Sequence, residues 1–336
     1  MLFRSYDKHI ETVISILNSP FSIAHKRLLD LIYFMNDIDK KILVALSQLL
    51  ENSDADIRSK VLNILIHNNG FYHDNIDKII LCLNDPIAEI RLMALALIVK
   101  ADIHVKLEGI ISQTINQFLV DKNKNIVKKT LNEIKFMKNK EKETLFLIID
   151  LLKDSDPIIS DLAEEVLRES PTDNQEVINA LIKLLDEPLM QKKALNILGK
   201  NIIINPEHHL IISRFFTHED NYIFAAALYI IENNKTENEK IINDIAELLK
   251  HEDTFRRRWA VQALGNLKPS DPEIHLSMAR LLLSSRQIIT VVLEALVKVN
   301  IQHPKVHKFI RKLSQDKVIG IREAALSAMA SLGIPN

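Results

Sequence analysis

Asp85-Pro86-Ile87-Ala88-Glu89-Ile90-Arg91-Leu92-Met93-Ala94-Leu95-Ala96-Leu97-Ile98 is the stretch on which the fold turns. An acidic residue and a proline make a turn, and Ile90, Ala94 and Ile98 then fall on one face of a helix. The same spacing returns along the chain from anchors at Ala24, Ile57, Ile90, Ile126, Ile159, Met190, Ile223, Arg256, Ile288 and Ile321. Four residues past the anchor the column is mostly small (Ala94, Ala163, Ala194, Ala227, Ala260, Ala325), which lets two helices approach closely. Eight past it the column is apolar, from Ile32 to Met329.

A second apolar pattern precedes each anchor and ends at Leu17, Leu50, Leu83, Leu119, Leu152, Leu185, Phe216, Leu249, Leu282 and Leu313. Each period therefore reads as helix, turn, helix. The turns carry Asn18-Ser19-Pro20, Ser53-Asp54, Asp85-Pro86, Asp154-Ser155-Asp156-Pro157, Glu187-Pro188, Glu219-Asp220, Glu252-Asp253 and Asp316, whereas the connection at Ser284-Ser285 lacks an acid. Asp and Ser there accept the free N–H groups of the second helix, and Pro fits its first turn. A lone hairpin of this size exposes one side of both helices to water, so stacked neighbours must complete the core.

Composition agrees with an all-α chain. Six Gly, ten Pro and 5% aromatic residues in 336 are too few for strands joined by tight turns. A formal net charge of −1 removes the global signature of a nucleic-acid binder. The single Cys82, inside the run from Ile79 to Leu83, reads as a buried thiol in a reducing compartment. The polar start, Met1 to Lys8, does not read as a signal peptide, and the longest apolar run, Leu92 to Val99, is too short to span a bilayer. A soluble, cytoplasmic protein is expected.

The residues Asp85-Pro86 through Ile90-Arg91 to Ala94, Arg257-Arg258-Trp259-Ala260-Val261-Gln262-Ala263-Leu264-Gly265 and Ile321-Arg322-Glu323-Ala324-Ala325-Leu326 resemble the HEAT-repeat family, in particular the short HEAT-like repeats of the phycobilisome-lyase type. That resemblance implies a right-handed α-solenoid, a superhelix of about ten helix-turn-helix repeats filling one domain, 1–336, with the second helices on the concave side. It implies partner binding but no shared chemistry. It also implies that the Arg after the anchor, present as Arg58, Arg91, Arg257 and Arg322, pairs with a turn Asp. His25, Val127, Ser160, Gln191, Phe224 and Ile289 depart from that pattern, so the ladder of ion pairs is expected to break in mid-stack.

If the second helices face the groove, the columns two, three, six and ten residues past the anchor line it. Their bases, among them Lys128, Lys129, Lys192, Lys193 and Arg258, outnumber their acids, and Asn132 and Asn196 can bond peptide groups. With Trp259 beside Arg256-Arg257-Arg258, these residues form the expected partner-binding groove: Lys128, Lys129, Asn132, Lys192, Lys193, Asn196, Arg258 and Trp259. The bland reading of the same lysines is a wetted helix face, and of Trp259 a packing residue between repeats. Asp161, Glu165 and Glu169 interrupt the basic track, which argues against a continuous duplex-binding groove.

Enzymatic readings each make a demand on residues. A HEAT-like metal hydroxylase needs His-Glu pairs early in the second helix, but His218-Glu219 and His251-Glu252 lie in turns. His208-His209 and the pair His303 and His307 read as surface histidines, and no Gly-rich phosphate loop or nucleophile elbow is present. The expectation is a non-enzymatic scaffold without cofactor or metal, whose partner is another protein offering an acidic segment. Nucleic-acid binding is the alternative, and a HEAT-like metal hydroxylase or lyase stands behind it.

Overall fold

The computed structural model describes residues 2–35, 38–67, 76–100, 108–137, 139–200 and 204–335. Among them the regular structure is entirely helical, with no strand. Two compact units divide the chain, Met1–Ser170 and Pro171–Asn336. The first holds α1 (Leu2–Leu17), α2 (Ser22–Tyr33), α3 (Lys40–Gln48), α4 (Ala55–His67), α5 (Ile76–Leu81), α6 (Ala88–Lys100), α7 (Glu108–Leu119), α8 (Lys124–Ile134), α9 (Lys142–Leu151) and α10 (Pro157–Arg168). The second holds α11 (Gln175–Lys183), α12 (Gln191–Leu198), α13 (Pro206–Ser213), α14 (Asn221–Asn233), α15 (Glu239–Glu247), α16 (Thr254–Leu267), α17 (Pro272–Ser284), α18 (Ile289–Lys298), α19 (Pro304–Leu313) and α20 (Ile319–Leu332).

Even-numbered helices are the second members of the hairpins, and each packs on the next: α2, α4, α6, α8 and α10 in one unit, α12 to α20 in the other. This is the solenoid arrangement. The residues that end the first helices, Leu17, Leu50, Leu83, Leu119, Leu152, Leu185, Phe216, Leu249, Leu282 and Leu313, are all buried. Five first helices tighten there into 3-10 turns, at Leu49–Glu51, Cys82–Asn84, Leu184–Asp186, Arg214–Thr217 and Leu248–Lys250. Each buried Leu of this column contributes about 2 kcal/mol. Cys82 is buried among them, and burial raises its thiol to about 11, so it stays protonated and inert.

The turn acids cap the second helices. Asp54, Asp85, Asp156, Asp220, Asp253 and Asp316 each accept the N–H two residues on, at 2.7 to 3.0 Å. His218 and His251 have an equivalent role one step earlier: their Nδ1 atoms accept the N–H groups of Asp220 and Asp253. Both His-Glu pairs are thus parts of turns.

The arginine ladder differs from its expected form. Only Arg58 makes the buried carboxylate pair, to Asp85 of the following turn, at 2.6 and 3.0 Å. Burial pushes the Asp85 carboxyl up, but Arg58 and the Ile87 N–H more than offset this and hold it below its ordinary value. The shared contact is instead with backbone carbonyls. Arg58, Arg91, Arg257 and Arg322 donate to the carbonyl six residues back, those of Asn52, Asp85, His251 and Asp316. Gln191 does the same to Leu185. The reason is that the tight end of the first helix leaves carbonyls unpaired, and a long donor side chain can reach them. His25 and Ser160 reach further back, to the carbonyls of Ile16 and Leu152.

Phe224 cannot donate, and the carbonyls of its turn, His218 and Glu219, are taken by Arg256 of the next repeat at 2.6 and 3.2 Å. The Arg256 guanidinium lies 4.6 Å from the Phe224 ring centroid. That explains a charged residue in an apolar anchor column: Arg256 serves its predecessor. Ser285 similarly stands in for the missing turn acid, accepting from Arg257 at 3.3 Å.

Two further expectations are corrected. In the first repeat the buried stripe is His25, Leu29 and Ile32, one residue out of step with Ala24 and Leu28, where α2 packs on α1 and α4. His208 and His209 are core residues, not surface ones, at 7% and 2% exposure. Burial lowers the His209 pKa, and neither of its ring nitrogens has a well-formed hydrogen bond.

Candidate functional site

The site begins with α6, whose sequence is apolar on every side except at its ends. Ile90, Ala94, Leu97 and Ile98 are spent in the core, and Met93, Ala96 and Val99 remain on the face turned away from the first helices. At the first two of these positions α2, α4, α8 and α12 carry a cation and an Asp or Asn: Arg27 and Asp30, Lys60 and Asn63, Lys129 and Asn132, Lys193 and Asn196. With α4 and α8 on either side, α6 floors a groove of about 950 Å³. Asn63 and Ile66 come from α4, Lys129, Asn132 and Glu133 from α8, and Phe136, 77% exposed, follows α8. Its size and apolar floor fit an open binding cleft.

The expected basic residues divide by what their charges already do. Lys128 forms an ion pair with Asp156, the cap of α10, at 2.6 Å. Lys26 pairs with Asp54 and Asp56, and Lys60, Lys124 and Lys135 pair with Asp30, Asp154 and Glu165. These lysines are rungs between successive second helices of the first unit. Lys129 is different: it lies on the groove wall with no ion pair to a described residue. Asn132 also lines the groove, and its side-chain amide donates to the Lys128 carbonyl at 3.0 Å. The structure thus brings Lys129 and Asn132 together and turns Lys128 to another task.

In the second unit, the Lys192 ammonium sits 4.6 Å from the Tyr222 ring centroid. Lys193 and Asn196, on the same helix α12, are also engaged. Arg258 is exposed on α16, and Trp259 is half-buried with its ring centroid 6.2 Å from that of Phe255. Arg256 and Arg257 are committed to the turn carbonyls, so the four-residue cluster offers Arg258 and one face of Trp259. Helix α14 separates α12 from α16 in the stack, so these two groups belong to different hairpins.

Sequence reasoning missed Glu133, Phe136 and the groove face of α6. The signal was present: Leu92 to Val99 is apolar without a break, and Glu133 stands in a column of apolar residues. Burial raises the pKa of the Glu133 carboxyl, which has no hydrogen bond or ion pair to a described residue. Among the described residues no three His, Cys, Asp or Glu side chains converge as a metal cluster would require. No described helix is long and apolar enough to cross a membrane.

Stacked hairpins with capped turns and a groove on the second helices define an α-solenoid of HEAT-like pairs. No family profile matches the sequence, and no curated protein matches it. Among solved structures the chain is similar to importin beta, a HEAT-repeat protein, at 13% identity and a TM-score of 0.62, covering 98% of this chain and 53% of that one. It is also similar to an engineered protein at 15% identity and a TM-score of 0.56, covering 97% and 99% of the two chains. The chain spans about half the length of importin beta. At these identities the likeness is one of fold.

Proposed function

We propose that this chain is a non-enzymatic, protein-binding scaffold whose working surface is the groove over α4, α6 and α8. One observation carries the reading: α6 leaves Met93, Ala96 and Val99 partly exposed between flanking helices, beside an exposed Phe136. Exposed apolar surface of this kind marks interaction sites, because leaving it in water costs free energy that a partner's apolar side chains recover. An acidic partner segment would meet an unpaired cation at Arg258 in the second unit, and in this groove at Lys129 only beside the carboxylates Glu89 and Glu133. Residence in the cytoplasm belongs to the same proposal and is supported by the single buried thiol. The kinship to short repeats of the phycobilisome-lyase type rests on the quoted sequence motifs.

The test is affinity capture from native lysate with the full chain against Met93→Asp and Lys129→Glu. Proteins retained by wild type and lost with Met93→Asp support the groove, and loss with Lys129→Glu as well supports an acidic segment. Retention by both variants would move the site elsewhere. Retention of an oligonucleotide with a steep salt dependence would turn the reading to nucleic acid.

A further inference from the structure

Seven residues past each anchor the second helices carry Leu31, Ile64, Leu97, Glu133, Val166, Ile197, Ile230, Ala263, Ala295 and Ala328. Glu133 alone is charged. The others, apart from Leu31 at the start of the first stack, are buried against neighbouring helices. In the second unit the column is seen at work: a Cβ built on Gly265 would lie 2.8 Å from the Ala295 Cβ, so this position packs against the preceding second helix. At the corresponding place in the first unit, the Glu133 carboxylate shares the groove with Met93, Ala96 and Val99 of α6.

A half-buried carboxylate in such surroundings is destabilising unless something compensates its lost hydration. No described side chain does so. Lys129, one turn earlier on the same helix, makes no ion pair with it, and the Lys100 ammonium is spent on the Ile66 carbonyl at 2.8 Å. Nine apolar equivalents show what the fold itself would place there. The cost is explained if the missing cation arrives with the occupant.

Resting on the reading of this groove as the working surface, we infer that Glu133 sets its charge specificity, selecting a partner peptide segment with one lysine or arginine among apolar residues. The apolar floor takes the apolar side chains, and Glu133 takes the cation in a partly desolvated, charge-assisted hydrogen bond. Two spacings of about 8–10 Å between neighbouring helices make the groove roughly 20 Å long from α4 to α8. That length suits a peptide segment better than a small cation. The groove's two carboxylates, Glu89 and Glu133, belong to no cluster of three ligating side chains among the described residues, too few for a metal ion.

The test is selection of a random 14-residue display library on the full chain, followed by synthesis of the enriched peptides. Enrichment of one Lys or Arg flanked by apolar residues is expected. Replacing that Lys by norleucine should weaken binding to wild type by about tenfold, and should have little effect on Glu133→Gln, since the two changes remove one interaction. Glu133→Leu should fold, melt at a higher temperature than wild type and lose the preference for a cation, a combination that a structural role would not give. Equal loss on wild type and Glu133→Gln, or enrichment of acidic peptides, overturns the inference while leaving the groove in place. Selected peptides that bind Met93→Asp as well as wild type overturn the groove reading, and absence of any enrichment overturns both.

Discussion

Helices α6 and α8 in the first unit and α16 and α18 in the second occupy the same places in the repeat, yet their junctions differ. Between α16 and α18, Gly265 and Ala295 touch so closely that the backbone of α18 lies where a side chain on Gly265 would be, with the Ala295 Cα 2.9 Å from the added carbon. Between α6 and α8 the equivalent residues are Val99 and Glu133, and both line an open groove. The stacking rule is common to both, and two side chains decide whether a junction is closed core or open surface. Small residues let helices meet at backbone distance, whereas a branched residue facing a carboxylate cannot.

That comparison can be broken most forcefully at Gly265. Gly265→Val should destabilise the second unit by about 3 kcal/mol, because the added carbons meet the α18 backbone, which has no rotamer to yield. Chemical denaturation measures this, and a loss under ~1 kcal/mol would mean that the junction is looser than its geometry. Next in size is Arg256→Met, which keeps the stem over Phe224 but leaves the His218 and Glu219 carbonyls without their donor. A loss of about 2 kcal/mol is expected, and a neutral result would show that water serves that turn equally well.

A smaller effect appears in pH dependence. Burial lowers the His209 pKa from its ordinary 6.5, so the unfolded chain binds the proton first as pH falls. Stability contributed by neutral His209 is therefore complete above 6.5 and declines as pH falls through 6.5 toward the lower folded value. His209→Gln should flatten this part of the stability profile. At the open junction the smallest change is expected: Val99→Leu should alter stability by no more than ~0.5 kcal/mol, since the added carbon enters the groove. A Val99 substitution as costly as that at Gly265 would erase the distinction between the two regions.

Much of the architecture was legible because stacking makes each repeat restate the same constraint. The residues closing the first helices, from Leu17 to Leu313, and those eight past the anchors, from Ile32 to Met329, are buried throughout. The slip in the first repeat was not legible, since Ala24 and Leu28 fit the same spacing as the other anchors and only the packing of α2 on α1 and α4 turns His25 and Leu29 inward. The site was less legible for a related reason. Lys128 and Lys129 are adjacent in sequence, and only the position of the next hairpin tells that Asp156 claims one charge and leaves the other free. Periodicity gives the face of a residue but not what the neighbouring repeat offers it. Glu133 was visible as an exception in its column, but its meaning depended on knowing that the column packs against the preceding helix.

Hydrogen–deuterium exchange of the full chain, with and without a peptide selected on it, tests the central claim most directly. The account predicts slowed exchange concentrated in 55–67, 88–100 and 124–137, and loss of that protection in Met93→Asp. Protection confined to 191–198 and 254–267, with α4, α6 and α8 unchanged, would contradict it.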